Sequence, residues 1–460
     1  MKNYLLIALL FVFLTSCNAQ QQIKNEVLEG KWYLDFQHND IGLARTFMHF
    51  ETNGNSFEAY TRKNADRDIL GGWTSMLGRT FTKSFKNGSL LRVVNGTHKT
   101  ENDTLKLSGV LTSAMGNYHF KGYVKGNDLC VTLTNGIGQQ RGIITGTKKQ
   151  VQQPLENYPD LFKASVQLTE NNIFNKDLLQ TKKWKTFVKD MGKVSSKVQD
   201  DLEMVFAFFY YAGKLPISHF ALMKIPEQEK DTSMHESNKY VFLEEKSPQT
   251  VYIKITSFSG TASEMDSIFE IINHKDYKNL IVDLRNNSGG SVAAGMAFTT
   301  SVVDSTFYGG VFLTQKWFIQ HKQPPTVESY PTFPHFTEAN FDLIIEGIHN
   351  TDVLCLKIIP KPTVYRGNIY ILTNSKTAST CEPIVYGLKQ QKRATIIGEK
   401  TAGAMLNGEL FELDKGFKMV IPTADYYASD GYRIDQNGVK PNIETKQEEA
   451  LDYVMKNLIK

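Results

Sequence analysis

The chain has 460 residues, 41% of them hydrophobic, which is enough for two or three domains with their own cores. A net charge of +4 with no dense basic run excludes the electrostatic footprint of a nucleic-acid-binding protein. Cys17, Cys130, Cys355 and Cys381 form neither a disulfide framework nor a zinc spacing, and no His-Glu-x-x-His run is present, so no metal or other cofactor is expected.

The first residues read as an export leader. Lys2 precedes the apolar stretch Tyr4 to Leu14, which is too short for an ordinary membrane span. It ends in Leu14-Thr-Ser-Cys17, which resembles a bacterial lipobox. That resemblance implies a leader over 1–17 and lipidation of Cys17, which anchors a protein to a membrane without spanning it. Asn18 after the cysteine implies outer-membrane sorting in a Gram-negative envelope.

Residues 27–150 read as an all-β barrel or sandwich. Strand-like runs such as Gly30 to Phe36 and Leu105 to Leu111 are separated by Asn-Gly and Gly-Asn turn signals about every ten residues. The polar stretch Lys148 to Pro154 reads as a linker. A helical segment follows over 154–215, with helical spacing in Phe174–Met191 and Val198–Tyr211. In the second stretch Val198, Leu202, Val205, Phe206 and Phe209 share one face and predict core packing.

From about 238 the pattern becomes α/β. Strands are expected at Thr250–Ile255, Leu280–Leu284, Asn368–Leu372 and Ala394–Gly398. Helices are expected at Ser263–Ile272, capped by Thr261 or Ser263, and at Val292–Val303. Leu410–Ile421 reads as a hairpin turning at Asp414-Lys-Gly416. The aromatic stretch between Asp304 and Pro362, with Trp317, Tyr330, Phe333, Phe336 and Phe341, predicts a cleft-lining loop or lid, or else plain packing.

Ser379 stands where the apolar stretch Asn368–Leu372 gives way to the helix-like Pro383–Leu388. A serine at a strand-to-helix turn is well placed as a nucleophile, because helix N-terminal amides and the dipole favour a developing oxyanion. Cys381 lies two residues on, about 200° around a helix, and therefore faces away.

Four stretches together resemble the catalytic domain of the tail-specific (C-terminal processing) protease and tricorn-core family. They are Asn279-Leu-Ile-Val-Asp-Leu-Arg-Asn-Asn-Ser-Gly-Gly290, Thr377-Ala-Ser-Thr-Cys-Glu382, Ile397-Gly-Glu-Lys-Thr-Ala-Gly403 and Asn437-Gly-Val-Lys-Pro-Asn-Ile443. The resemblance covers about 155–446 and implies a crotonase-like ββα protease domain within 216–460. One departure matters for mechanism. The tail-specific branch uses a Ser–Lys dyad, and Ala404 stands at the lysine position, with Lys400 four positions early. The tricorn-like branch uses a histidine after a serine, and Ser218-His219 stands in that place. Asp435 fits the slot of the acidic residue that orients the imidazole, where the family often has Glu.

The resemblance therefore implies Ser379 as nucleophile, His219 as base, and Asp435 and Ser218 as orienting groups. The amides of Gly290, with Gly289 as alternative, and of Thr380 form the expected oxyanion hole. Asp283 and Arg285 are expected to pair and fix the glycine loop. Residues 220–248 are too few for the PDZ module common in tail-specific proteases. The expected function is a lipid-anchored serine endopeptidase acting on peptides or unfolded chains outside the cytoplasm. The second reading is a non-catalytic peptide- or lipid-binding protein on the same scaffold.

Overall fold

The computed structural model describes residues 27–459, apart from 40, 82–87, 114–115, 137, 150–155, 226–238, 261 and 338–339. The leader with Cys17, most of the linker and the capping candidate Thr261 lie outside the described residues.

The front of the chain is a closed antiparallel barrel of eight strands, from Gly30–His38 to Gln140–Thr147. Closure comes from the first strand, which pairs with both Gly42–Asn53 and Gln140–Thr147. Alternation drives it: Trp32, Leu34 and Phe36 point inward while Lys31, Asp35 and Gln37 face solvent. The cavity at the centre is lined by apolar side chains, among them Met48, Phe57, Leu107 and Phe120.

Helices Tyr158–Asn172, Lys182–Ser195 and Asp201–Ala212 pack on the barrel, and the two share one hydrophobic core. The spacing over Phe174–Met191 is not one helix. A 3-10 turn, Lys176–Gln180, comes first, and Thr181 then caps Lys182–Ser195 by accepting a bond from the Trp184 amide. Asp200 caps Asp201–Ala212 through the Glu203 amide. Val198 therefore precedes that helix, and Phe209, expected in the core, is 56% exposed while Phe208 is buried. A buried polar cluster ties barrel, helices and protease strands together. Thr46 donates to Asp200, and Asp201 accepts from Tyr158 and pairs with Lys224 at 2.6 Å. Lys224 ends the strand Ala221–Lys224, which begins two residues after His219.

The second half holds two sheets. One has six strands in the order Val241–Ser247, Thr250–Ile255, Asn279–Asp283, Asn368–Thr373, Thr395–Gly398, Ile443–Glu444. The first pair is antiparallel and the others are parallel, with helices Ala262–His274, Val292–Val302 and Cys381–Gln390 as crossovers. The central strand Asn279–Asp283 is buried at every position, as its unbroken apolar run requires. The other sheet continues from the barrel through Ala221–Lys224, Phe417–Ala428, Phe307–Thr314 and Val353–Ile358. The hairpin expected at Leu410–Ile421 is the pair Leu406–Glu412 and Phe417–Ala428.

The stretch from Asp304 to Pro362 is not a loop. It supplies the strands Phe307–Thr314 and Val353–Ile358 and the helix Phe341–Asn350. Tyr330 and Phe336 are buried, and Trp317 and Phe333 pack beside Tyr330. The aromatic side chains cover faces of this sheet, which would otherwise stay exposed.

Candidate active site

Two loops leave the carboxyl ends of neighbouring parallel strands, Asn279–Asp283 and Asn368–Thr373, where open α/β sheets place their ligands. Reciprocal bonds zip them together. The Asn286 amide donates to Asn374 Oδ1, and Asn374 Nδ2 donates to Asn286 Oδ1, both at 3.0 Å. The Ala378 amide donates to Asn287 O, and Thr377 Oγ1 to Leu284 O. Asp283 and Arg285 form a bidentate pair at 2.9 and 2.6 Å, and Tyr252 donates to the same carboxylate.

Ser379 sits at φ 52°, a left-handed conformation that a non-glycine residue adopts at a cost of about 1 kcal/mol or more. The turn throws its side chain out ahead of the helix Cys381–Gln390. Ser379 Oγ lies 3.1 Å from His219 Nε2. His219 is itself left-handed, at φ 52°, and its Nδ1 lies 2.9 Å from Ser218 Oγ. Gly408 makes room for the ring, since a Cβ there would stand 2.9 Å from His219 Cβ. Burial lowers the imidazole below its ordinary value of 6.5, and the Asp435 carboxylate opposes that shift. Neutral imidazole can thus accept at Nε2 while Nδ1–H donates to Ser218.

Asp435 is fully buried, but its bonds go elsewhere than expected. Oδ1 accepts from the Met405 amide at 3.1 Å, and Oδ2 from Arg433 and Gln436 at 3.3 and 3.4 Å. It bonds neither His219 nor Ser218, and it acts on the imidazole through space. The short aspartate side chain is used up on the Met405 amide and its own neighbours.

The backbone donors are ordered as follows. The Gly289 amide is taken by Asn287 Oδ1 at 2.9 Å. The amides of Gly290 and Thr380 have no acceptor among the described residues, and Thr380 Oγ1 donates to Gly290 O at 2.7 Å, which holds the two peptides together. Gly290, at φ 138°, lies so close to Phe258 that a Cβ would stand 2.5 Å from its carbonyl carbon. Beside Thr380 opens an apolar pocket walled by Val292, Met296, Phe312, Ile384, Met405 and Tyr426. Cys381 is fully buried, its thiol bonds Asn287 O, and burial pushes its pKa up, so it is no rival nucleophile.

Glu382 was missed as a site residue. Ser379-Thr-Cys-Glu382 has the spacing of a capping box, and that signal could have found it. Glu382 Oε2 accepts from the amides of Ser379 (3.3 Å) and Ala404 (2.7 Å). Oε1 accepts from Thr401 Oγ1 (2.6 Å) and the Gly403 amide (2.8 Å). Burial raises its carboxyl pKa, and these donors pull against that rise. Thr401 Oγ1 in turn accepts from the Val439 amide at 2.7 Å. One carboxylate thereby fastens the serine turn to the segment bearing Ala404, and through Thr401 to the Gly-Val-Lys-Pro segment.

Residues 249–445 match the model of Peptidase family S41. Ser218 and His219 lie ahead of that match. The chain is 25% identical over 197 residues to carboxyl-terminal-processing peptidase 3, chloroplastic, of Arabidopsis thaliana, covering 43% of this chain and 31% of the relative. It is 28% identical over 218 residues to a carboxyl-terminal-processing protease of Picosynechococcus, covering 47% and 44%. The chain thus spans less than half the length of these relatives. The solved tricorn protease aligns at 12% identity and a TM-score of 0.44, over 94% of this chain and 54% of its own. The serine turn, the glycine loop and the central parallel sheet all fall within residues 249–445, which match Peptidase family S41 and are similar in sequence to the carboxyl-terminal processing proteases.

Proposed function

We propose that the protein is a serine endopeptidase that works with histidine in place of the dyad lysine. The observation that carries this reading is the 3.1 Å approach of His219 Nε2 to Ser379 Oγ, beside two unpartnered amides. Ser379 Oγ attacks the peptide carbonyl carbon while its proton passes to His219 Nε2. The carbonyl oxygen becomes an oxyanion between the Gly290 and Thr380 amides. His219 then protonates the leaving amine and the C–N bond breaks. Water, deprotonated by the same nitrogen, releases the acyl group and restores Ser379. Ser218 holds the tautomer, and Asp435 favours the transient imidazolium through space. The apolar pocket next to Thr380 suits a Leu, Phe or Met side chain at the residue before the cleaved bond.

The substrates in this reading are peptides or unfolded chains outside the cytoplasm. The lipobox-like Leu14-Thr-Ser-Cys17 supports a lipid anchor at Cys17 and an outer-membrane address.

The leaderless protein should hydrolyse peptides with Leu or Phe before the cleaved bond, and a fluorophosphonate should label it at Ser379. Ser379→Ala should abolish both. Equal hydrolysis by that variant, or an unlabelled wild-type protein that binds peptides without turnover, would sink the proposal.

Gly290→Ala tests the oxyanion site separately. Its Cβ would force the loop off Phe258 and turn the amide away. We expect kcat to fall by about 10²–10³ with little change in KM. An unchanged kcat would remove Gly290 from this role.

A further inference from the structure

Folding gathers one lysine-rich segment into a basic surface. Between Lys182 and Lys197 stand six lysines and one aspartate, a local +5 in a chain whose net charge is +4. The helix Lys182–Ser195 turns Trp184, Phe187, Met191 and Val194 into the core. At 100° per residue, Lys182, Lys185, Lys189 and Lys193 then fall in one solvent-facing stripe about 16 Å long. All six lysines are exposed, and none is held in an ion pair among the described residues. Asp190, half-buried, is the one acid in the segment.

A recess opens at the start of the stripe and leads, through Tyr211, toward an exposed apolar helix. Lys182 and Lys183 share the recess with Lys214 and Tyr211, and the Lys214 ammonium lies 4.4 Å from the Tyr211 ring centre. Tyr211 OH donates to Ile69 O at 2.7 Å. Four residues past Ile69, on the helix Gly72–Phe81, Trp73, Met76 and Leu77 are 77%, 52% and 47% exposed at i, i+3, i+4 spacing. Large apolar side chains left in water on one helical face need a partner.

We infer that this joint surface is a docking face for an anionic lipid bilayer. Lysine ammoniums at a membrane surface each contribute about 1 kcal/mol against anionic headgroups. Tryptophan with neighbouring apolar side chains settles at the headgroup–acyl boundary. An acidic polypeptide would satisfy the lysines and leave Trp73, Met76 and Leu77 in water. The inference stands apart from the peptidase reading, and the docking face lies on the barrel and helices rather than on the serine loops.

Every described element lies after residue 26, so the leaderless chain, residues 18–460, keeps the whole described fold and removes the leader as a confounder. It should cosediment with phosphatidylglycerol–phosphatidylcholine vesicles at low salt, release at high salt, and ignore vesicles of phosphatidylcholine alone. Replacing Lys182, Lys185, Lys189 and Lys193 by Gln together should weaken binding at least about tenfold. Trp73→Ser should weaken it less and abolish a lipid-induced blue shift of tryptophan emission. Peptide hydrolysis in solution should be unchanged in both variants, which separates this inference from the catalytic proposal. Equal binding to uncharged vesicles, or no loss in the quadruple variant, would overturn it. So would lysine-dependent capture of polyglutamate with no vesicle binding, which would assign the face to an acidic polypeptide instead.

Discussion

His219→Gln should lower kcat by about 10⁴ or more while the protein stays folded. The substitution removes the one acceptor placed against Ser379 Oγ, and neither Lys400, which is exposed, nor Ala404 can replace it. The pH profile carries more information than the loss. Hydrolysis needs neutral imidazole, so kcat/KM rises with pH through the His219 pKa and is flat above it. Burial holds that pKa below 6.5, so the acid limb should have its midpoint below 6.5 and the rate should be level through neutral pH. Asp435 raises the His219 pKa. Asp435→Asn should therefore move the midpoint further toward acid, and it should cost only about tenfold at neutral pH, because no bond joins the two groups. A loss near 10⁴ in Asp435→Asn would mean instead that the carboxylate reaches the imidazole during turnover. Steady-state kinetics of both variants from acid to mildly alkaline pH decide between these outcomes.

The second large effect is expected at Glu382, whose two oxygens both accept from protein donors. Glu382→Ala strands Thr401 Oγ1 and the Gly403 amide in a buried setting and the Ala404 amide in a half-buried one. The Ser379 amide keeps Ala404 O, and the rest lose their acceptor. At about 1–3 kcal/mol for each unsatisfied group, with partial relaxation, the protein should lose about 3–5 kcal/mol of stability. Its Tm should fall by about 10 °C. Activity should fall with it, since the serine turn and the 401–405 segment part company. Calorimetry showing a Tm within about 2 °C of the wild type would remove Glu382 from this role.

Ser379 illustrates how much was legible beforehand. An apolar strand, a small-residue turn and an amphipathic helix are written in local order, and short-range sterics and burial build the same strand–turn–helix unit here. The glycine loop was legible for the same reason, because only residues without a Cβ tolerate φ 102° and φ 138° at Gly289 and Gly290. Choosing between their amides was not. That depended on Asn287 folding back onto Gly289, which leaves Gly290 free. The aromatic stretch from Asp304 to Pro362 read equally as cleft lining or packing, and its strands serve both: Phe312 walls the pocket beside Thr380, while Tyr330, Trp317 and Phe333 cover the sheet, a division that only pairing with strands far along the chain reveals.

The amino-acid order alone offered Ser379 as a hydroxyl at a strand-to-helix turn, because that follows from short-range pattern, and the resemblance to the tail-specific protease and tricorn-core family pointed to the alanine at the lysine position and the Ser-His pair in its place. The folded molecule decided what no local pattern reaches. His219, 160 residues before Ser379, arrives within 3.1 Å because the strand it precedes is anchored to both barrel and protease sheet. Asp435 spends its oxygens on a backbone amide and its own neighbours, and lysines scattered at helical intervals line up as one charged face. Each of these outcomes is set by how packed elements place distant residues, which is a property of the whole core.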